Sequence, residues 1–378
     1  MAGIYIHVPG CRQACPYCNF HFSTSLKNVD AYQGALLREM ALQKDFFDAE
    51  TELDSVYWGG GTPSVLSAER LEQIWAALRK NFRISPRAEV TLEANPDDLT
   101  PAYLRDLAHT SVNRLSIGVQ SFREGDLQMM NRSHTAVQAR QCLKNAQKYG
   151  FHNLTIDLIY GLPQMNSQQW QEQLQLLSSY EIPHFSAYAL TVEPKTILAH
   201  QIKKGEQPPV DEDQAAQHFA LLQKFARAQD YEHYEISNLA KAGYRARHNS
   251  AYWQQQPYLG LGPAAHSYRP PIRSWNVANN ALYIQSLKND KIPCEQEKLS
   301  VKDTYNEYVM TRMRLKEGVN ETYIREHFPP FIGRHWQKEK MRLQQMGKLE
   351  QNQNLVSIPE AARFMSDGIA GELFYVGN

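Results

Sequence analysis

Residues 4–18 read IYIHVPGCRQACPYC, and this stretch decides how the rest of the chain is interpreted. A short apolar strand is followed at once by three thiols within eight positions: Cys11, Cys15 and Cys18. A structural zinc site takes four Cys or His ligands, so zinc would also need His7 or His21. A [4Fe–4S] cluster normally takes four cysteines, and three would leave one iron open to bind a substrate.

The other two cysteines have simpler interpretations. Five cysteines are an odd number, and too few for a disulfide framework in 378 residues. Cys142 falls on the apolar face of a helix that Thr135 can cap and Gly150 can end, so we expect it in the core. Cys294 follows a proline, and we expect it in a loop.

Residues 1–190 alternate short apolar segments with longer amphipathic ones, a pattern typical of βα units around a parallel sheet. The predicted strands are residues 4–8, 54–58, 89–93, 114–118, 154–159 and 184–190. The predicted helices are residues 29–48, 67–80, 101–109, 124–149 and 167–179.

Four of these strands lead into polar or glycine-rich motifs, namely GGGTPS at 59–64, EANP at 93–96, GVQSF at 118–122 and DLIYGLP at 157–163. The carboxyl ends of parallel strands meet at one edge, where βα barrels keep their active sites. Glycines let a ligand approach the backbone closely, although a glycine triplet alone is also typical of a flexible turn. Glu93 can accept hydrogen bonds from hydroxyl groups.

The pattern changes after residue 190. A loop is expected over 194–215, and three segments after it look irregular or β-rich: EHYEISNLA at 232–240, RHNSAYW at 247–253 and YLGLGPAAHS at 258–267. Further helices are predicted at 213–229, 302–315, 320–328, 334–347 and 359–374, with a hairpin around Leu349 and Val356. We therefore predict a first domain over 1–295 and a mostly helical, winged-helix-like domain over 296–378.

The composition limits the classes of partner. The chain has 40 basic and 40 acidic side chains, which argues against general binding to nucleic acid. No apolar run approaches the 18 residues of a membrane span, and the N-terminus lacks the features of a signal peptide. We expect a cytoplasmic protein without an integral membrane segment.

The cysteine spacing at the end of a first βα strand resembles that of the radical S-adenosylmethionine (SAM) superfamily. The resemblance implies a partial (βα)6 barrel that holds a [4Fe–4S] cluster through Cys11, Cys15 and Cys18. In that superfamily the open iron binds SAM, and an electron from the cluster cleaves the sulfonium to give a 5′-deoxyadenosyl radical.

A narrower resemblance is to the oxygen-independent coproporphyrinogen III dehydrogenases and their relatives. It rests on YIHVPGC, CPYCNF, YWGGGTPS, EANP, GVQSF and DLIYGLP and spans essentially the whole chain. The SAM contacts that it implies are Tyr5, Tyr17, Gly60, Gly61, Thr62, Glu93, Gln120, Arg132, Asp157 and Ala189.

Two features separate the chain from those dehydrogenases. They carry a further cysteine two residues after the third ligand, where this chain has Phe20, and their N-terminal extension is longer. Residues 248–253, HNSAYW, instead match the haem-chaperone branch of the family. That branch implies haem binding and delivery to respiratory haemoproteins such as cytochromes. The sequence leaves open whether SAM is consumed and whether the chain forms a homodimer.

Histidine is a common haem ligand, and aromatic side chains pack on porphyrins. His248 is the first candidate ligand, although it could equally be a structural residue that ties down a loop. His266 in GPAAHS and His7 are the second and third candidates. Two other functions stay open: coproporphyrinogen III dehydrogenation, and a zinc-stabilised binding protein without radical chemistry.

Overall fold

The computed structural model describes residues 2–377 and begins with six strands and the helices that connect them. The strands are β1 Gly3–Val8, β2 Leu53–Gly60, β3 Ile84–Ala94, β4 Arg114–Gln120, β5 Leu154–Tyr160 and β6 His184–Ala189. Their helices are α1 Val29–Leu42, α2 Ala68–Asn81, α3 Pro101–Leu107, α4 Glu124–Met129, α5 Ala136–Lys148 and α6 Ser167–Ser179. Neighbouring strands of this series are all parallel, which confirms the predicted sheet.

Strand β1 shows how the sequence divides the two faces of the sheet. Ile4, Ile6 and Val8 are buried in the core beneath the helices. Tyr5 and His7 alternate with them and therefore lie on the inner face. The inner face is thus free to carry polar and aromatic side chains.

The prediction of one helix over 124–149 was wrong, because the chain forms two helices with a break between them. Asn131 adopts a positive φ of 50° in the break. Thr135 then caps α5, its hydroxyl accepting a hydrogen bond from the amide of Gln138 at 3.2 Å. Cys142 on α5 is buried in the hydrophobic core, as predicted. Helix α1 also ends earlier than predicted, at Leu42.

Residues 190–298 add a second set of elements. They are α7 Ile197–Lys203, α8 Glu212–Ala228, β7 Glu232–His233, β8 Asn238–Ala240, α9 Arg247–Trp253, β9 Tyr258–Leu261, β10 His266–Arg269, β11 Ile272–Asn276, α10 Asn280–Lys288 and β12 Cys294–Lys298. Three predictions fail here. Helix α7 lies in the expected loop, and α9 lies in the expected irregular region. Cys294 is the exposed first residue of a strand, not a loop residue.

These added strands extend the main sheet. Its order within the described residues is β12-β11-β10-β9-β1-β2-β3-β4-β5-β6-β8-β7. Strand β9 runs parallel to β1, with Leu259 opposite Ile4. The two end strands, β12 and β7, are not paired with each other within residues 2–377. The sheet is therefore a partial barrel, as predicted.

The C-terminal part is mostly helical. It comprises α11 Val301–Met313, β13 Val319–Asn320, α12 Glu321–His327, α13 Pro330–Gln345, β14 Glu350–Asn352, β15 Leu355–Ser357 and α14 Ser366–Glu372. Strands β13, β15 and β14 form a separate small sheet that includes the predicted hairpin. Its buried core, from Tyr305 to Leu373, is distinct from the barrel core, which ends at Leu287. The boundary between 295 and 296 stays a prediction.

Within residues 2–377, no helix is both long enough and apolar enough to span a membrane.

Candidate functional site

The three clustered cysteines lie in a loop that is tied to its own base. The amide of Ser23 donates to the carbonyl of Pro9 at 2.7 Å, and the amide of Cys11 donates to the carbonyl of Ser23 at 2.9 Å. The amide of Cys18 donates to the carbonyl of Cys15 at 3.1 Å. The loop therefore returns to the end of β1 and holds its thiols over the carboxyl ends of the parallel strands.

These thiols line one cavity of about 520 Å³ together with most of the predicted SAM contacts. The predicted residues on its wall are Cys11, Cys15, Cys18, Tyr17, Gly60, Gly61, Thr62, Glu93, Gln120, Arg132, Asp157 and Ala189. They come from the cysteine loop, from the ends of β2 to β6 and from the segment after α4. The expectation that the strand ends and the cysteine loop meet at one place agrees with this geometry.

The glycines at the carboxyl end of β2 are required by close packing against β1 and the cysteine loop. A Cβ on Gly61 would lie 2.8 Å from the carbonyl oxygen of Gly10 and 3.0 Å from the sulfur of Cys11. Gly60 has a φ of +110°, and a Cβ there would lie 2.8 Å from the ring of His7. A side chain on Gly61 would push the cysteine loop away from the strand end, and one on Gly60 would push against the end of β1. The triplet is therefore a fixed element of the site rather than a flexible turn.

Two half-buried carboxyl groups line the cavity. Glu93 accepts a hydrogen bond from the hydroxyl of Tyr57 at 2.7 Å. Burial raises the pKa of Glu93 to about 7; the neighbouring Asp157 acts in the same direction and the bond from Tyr57 opposes it. Burial also raises the pKa of Asp157. These carboxyl oxygens face a polar cavity and can accept hydrogen bonds from ribose hydroxyls.

Arg132 connects the cysteine loop to two strand ends. Its Nη1 lies 3.3 Å from the sulfur of Cys15, and its Nη2 donates to the side chain of Asn95 at 2.6 Å and to the carbonyl of Gly118 at 2.8 Å. The guanidinium thus places a positive charge beside a thiol. Asn95 was given no role from the sequence, although the EANP motif contained it.

Gln120 and Tyr5 occupy unusual positions among the predicted contacts. Gln120 has a positive φ of 63° at an irregularity between β4 and β5. Tyr5 is not among the residues that line the cavity. It lies earlier on β1, its hydroxyl 3.2 Å from Nδ1 of His7, and its ring stacks at 6.2 Å on Tyr57 and 6.5 Å on His248.

The surroundings of Cys11 and Cys18 disfavour the free thiolate. Burial raises the pKa of Cys11 and of Cys18, and the neighbouring thiols add to the increase. The sulfur of Cys11 also lies 3.3 Å from the hydroxyl of Thr62. Over residues 2–377, no three His, Cys, Asp or Glu side chains are gathered as ligands of one metal ion.

His248 lines a second cavity of about 310 Å³, which adjoins the first because Tyr188 lines both. Its Nδ1 is 2.9 Å from the hydroxyl of Ser55, and its ring stacks on Tyr57 at 5.1 Å. Burial, with a smaller effect of Arg114, lowers the pKa of His248 to about 4. The ring is therefore neutral near pH 7.

The second cavity also contains polar groups that sequence reasoning missed. Glu235 is fully buried, and its Oε2 lies 3.9 Å from Nη2 of Arg314. The guanidinium of Arg314 lies 5.0 Å from the ring of Trp253. Of these three residues, only Trp253 belongs to a motif that the sequence analysis singled out, since it is the last residue of HNSAYW. Glu235 and Arg314 come from segments that are distant in sequence.

The other two candidate haem ligands differ in availability. Both ring nitrogens of His7 are engaged, Nδ1 with the hydroxyl of Tyr5 and Nε2 with the carbonyl of His21 at 2.8 Å. The Nε2 of His21 is bonded to the side chain of Asn280 at 2.7 Å. His266 is exposed and lines a third cavity. Among these residues, His7 is thus the least available as a ligand.

With this geometry in hand, the chain was compared with known proteins. Residues 5–177 match the model of the Radical SAM superfamily. The haem chaperone HemW of Lactococcus lactis is 34% identical over 83% of this chain and 82% of its own length. That of Bacillus subtilis is 29% identical over 98% of both chains, and that of Escherichia coli is 36% identical over 70% and 69%.

The chain belongs to the HemW family of radical SAM proteins. Its fold is also that of the E. coli coproporphyrinogen III oxidase HemN, a radical SAM enzyme, with a TM-score of 0.85 over 99% of this chain and 90% of that one. The two sequences are only 21% identical, so this likeness concerns the fold.

Membership of the radical SAM family implies a [4Fe–4S] cluster and SAM. The donor set fits, since three thiols on one loop face a cavity with room beside them. The cavity wall also fits, because carboxyl groups and a guanidinium line it next to the thiols. The cluster would be held by Cys11, Cys15 and Cys18, and the polar strand ends would contact SAM.

Proposed function

We propose that the protein is a cytoplasmic haem chaperone that carries a SAM-coordinated [4Fe–4S] cluster, binds haem and delivers it to respiratory haemoproteins such as cytochromes. Its curated relatives are named for a haem-chaperone function, and the cavity under the cysteine loop has the donor set of the family. The observation that carries the haem part of the proposal is the arrangement of His248.

The surroundings of His248 suit a ligand to haem iron. Nδ1 of His248 lies 2.9 Å from the hydroxyl of Ser55, and we assign the proton of the ring to Nδ1, which leaves the lone pair on Nε2. Within residues 2–377, Nε2 forms no hydrogen bond, and the ring lines a cavity. The ring of Tyr57 packs against the imidazole and fixes its plane. A neutral, oriented imidazole of this kind is a common proximal ligand.

The residues of the first cavity would position the cofactors. Cys11, Cys15 and Cys18 would bind three irons, while Arg132 would keep its positive charge beside Cys15. Glu93 and Asp157 would accept hydrogen bonds from SAM hydroxyls. When bound, the reduced cluster and SAM supply reductive cleavage of the sulfonium.

Coproporphyrinogen III dehydrogenation is the alternative. At the position where those dehydrogenases carry a further cysteine, Phe20 lines the cofactor cavity and is 68% exposed. An apolar ring cannot supply the thiol of those enzymes. We therefore expect no protoporphyrinogen when the reconstituted protein is incubated with SAM, a reductant and coproporphyrinogen III. Product formation in this assay would replace the chaperone proposal with an enzymatic one.

The cofactor part is tested by anaerobic reconstitution of the wild type and of the triple variant Cys11→Ser, Cys15→Ser, Cys18→Ser. We expect the wild type to show the EPR signal of a reduced cluster that changes when SAM is added, and the triple variant to lose its iron and sulfide. Cys142→Ser and Cys294→Ser, outside the cavity, are the controls and should keep both. A colourless wild-type protein that contains zinc would eliminate the cluster.

The haem part is tested by titration monitored through the Soret band. His248→Ala should weaken binding and alter the spectrum, whereas the exposed His152→Ala should do neither. Transfer to an apocytochrome, followed by gel-resolved haem staining, tests delivery. Unchanged affinity and spectrum in His248→Ala would remove this residue as a ligand, and absence of haem binding by the wild type would overturn the chaperone proposal.

A further inference from the structure

A third cavity, of about 420 Å³, lies between the strands added beside β1 and helix α11 of the C-terminal part. Its wall is largely aromatic and apolar, and includes Tyr252, Tyr258, Tyr268, Met310 and Phe374. The volume falls within the range of small-molecule sites, which combine an apolar wall with few polar groups. No residue of this cavity was needed for the cofactor site.

The aromatic wall is continuous. The rings of Tyr252 and Tyr258 are 4.8 Å apart, and those of Tyr258 and Tyr268 are 6.3 Å apart. Tyr252 is 44% exposed and Met310 is 41% exposed, so this apolar surface can be reached from solvent. A flat apolar ligand could pack against such a wall.

His266 projects into the same cavity from strand β10. It is exposed, and neither of its ring nitrogens forms a hydrogen bond within residues 2–377. The ring of Trp275 lies 6.1 Å away. Partial burial and the charge of Arg273 lower the pKa of His266, which favours the neutral ring. An unengaged imidazole next to an aromatic wall can bind the iron of a metalloporphyrin.

The charges of the third cavity are already balanced. Arg273 is paired with Glu307 and lies 3.5 Å from Glu297. In the cavity of His248, by contrast, Glu235 and Arg314 are 3.9 Å apart and each has a buried atom without a partner among the described residues. The charged groups of the third cavity therefore need no further partner when an apolar macrocycle binds. The third cavity is also the larger of the two.

We infer that this cavity is an outer haem site in which His266 binds the iron and the tyrosines pack against the porphyrin. The inference rests on the proposed haem-chaperone function and extends it to a second site. Tyr252 lines both the cavity of His248 and the outer one, so the two sites adjoin. Because His248 is 8% exposed while His266 is exposed, the outer site is the one from which an acceptor protein can take haem.

The test compares ferric haem with iron-free protoporphyrin IX, each titrated into the wild type, His266→Ala, Tyr252→Ala and the control His152→Ala. Loss of the iron ligand in His266→Ala should weaken haem binding about tenfold or more and leave protoporphyrin binding unchanged. Tyr252→Ala removes one aromatic ring from the cavity wall and should weaken the binding of both haem and protoporphyrin IX. The double variant His248→Ala, His266→Ala should lose the spectrum of histidine-bound haem.

The outcomes separate the two ideas. If the wild type binds no haem, the chaperone proposal fails and the outer site fails with it. If the wild type binds haem and His266→Ala matches it in affinity, spectrum and rate of transfer to an apocytochrome, the outer site alone is overturned. If His266→Ala weakens haem and protoporphyrin equally, His266 is not an iron ligand and the inference is wrong.

Discussion

The strands on the two sides of β1 are held in different ways. On one side, β2 to β6 follow β1 through βα units, and the cofactor cavity forms where their backbone ends meet the cysteine loop. On the other side, β9 pairs with β1 only after about 250 residues of intervening chain, and buried polar side chains attach this flank to the barrel. We call the first side the barrel flank and the second side, residues 247–298, the added flank.

The added flank has three such attachments. Glu89 on β3 accepts hydrogen bonds from the first two amides of α9, those of Arg247 and His248. Ser55 on β2 contacts the ring of His248. Glu39 on α1 accepts hydrogen bonds from Gly262 after β9, Asn276 on β11 and Tyr283 on α10. The barrel flank thus depends on backbone packing, and the added flank on single buried side chains, so substitutions should affect them differently.

The largest effect is expected from Glu89→Gln. Glu89 is buried 3.9 Å from the buried guanidinium of Arg114, whose Nε has no hydrogen-bond partner within the described residues. Removing the carboxylate would leave that positive charge unpaired, which should lower the free energy of unfolding by about 3–5 kcal/mol. Urea denaturation measures the loss, and the haem titration should show that His248 is displaced as well.

A matched control exists on the surface. Glu52 and Arg83 are also 3.9 Å apart, but their side chains are 42% and 57% exposed. Glu52→Gln should therefore cost less than about 1 kcal/mol. Equal losses in the two variants would show that burial of the Glu89 pair does not hold the added flank.

A pH dependence is expected from Glu39. Its carboxyl accepts hydrogen bonds from Tyr283 at 2.5 Å, the amide of Gly262 at 2.8 Å and Asn276 at 2.6 Å. Burial raises its pKa from 4.5 to about 7, with these bonds opposing the increase. Between these two values the folded state keeps a proton that the unfolded state releases, so stability falls as pH rises and then levels off above about 7.

Over that window the loss amounts to about 3 kcal/mol. It should be absent in Glu39→Gln, because the amide does not titrate. Tyr32, Tyr283 and Cys294 are the other ionisable groups near the carboxyl, and they remain in both proteins. The measurement is the difference in unfolding free energy between wild type and variant from pH 5 to pH 8, and two parallel curves would contradict the prediction.

The same comparison explains what could be predicted from the sequence. The barrel flank is encoded by local signals: apolar alternation in β1, the cap at Thr135, and motifs directly after each strand. These signals give the strand order and bring the predicted residues to one cavity. Tyr5 was the exception. The alternation of apolar residues predicts which face of β1 Tyr5 occupies, but not how far it lies from the carboxyl end of the strand, where the cavity forms.

The added flank is encoded by contacts that are remote in sequence. Ser55 and His248 are 193 positions apart, and neither has a local signal for the other. Helices α7 and α9 have seven residues each and each buries a single side chain, Leu198 and His248, so they show no apolar period. The HNSAYW motif identified His248 as a residue of interest, but only the fold shows which cavity it lines.

The smallest effect is expected on the barrel flank, from Gly60→Ala. The φ of +110° is strained for alanine, and the added Cβ would meet the ring of His7 at 2.8 Å. We expect a loss of about 1–3 kcal/mol in unfolding free energy, together with weaker SAM binding by calorimetry because the carboxyl ends of β1 and β2, where the cavity forms, are pushed apart. Gly34→Ala is the matched control: Gly34 lies in α1 with nothing within 4 Å of the new Cβ, and alanine there should be neutral or stabilising by up to about 1 kcal/mol. If Gly60→Ala behaved like Gly34→Ala in both stability and SAM binding, backbone packing could not be what positions the cofactor cavity, and the contrast between the two flanks would not hold.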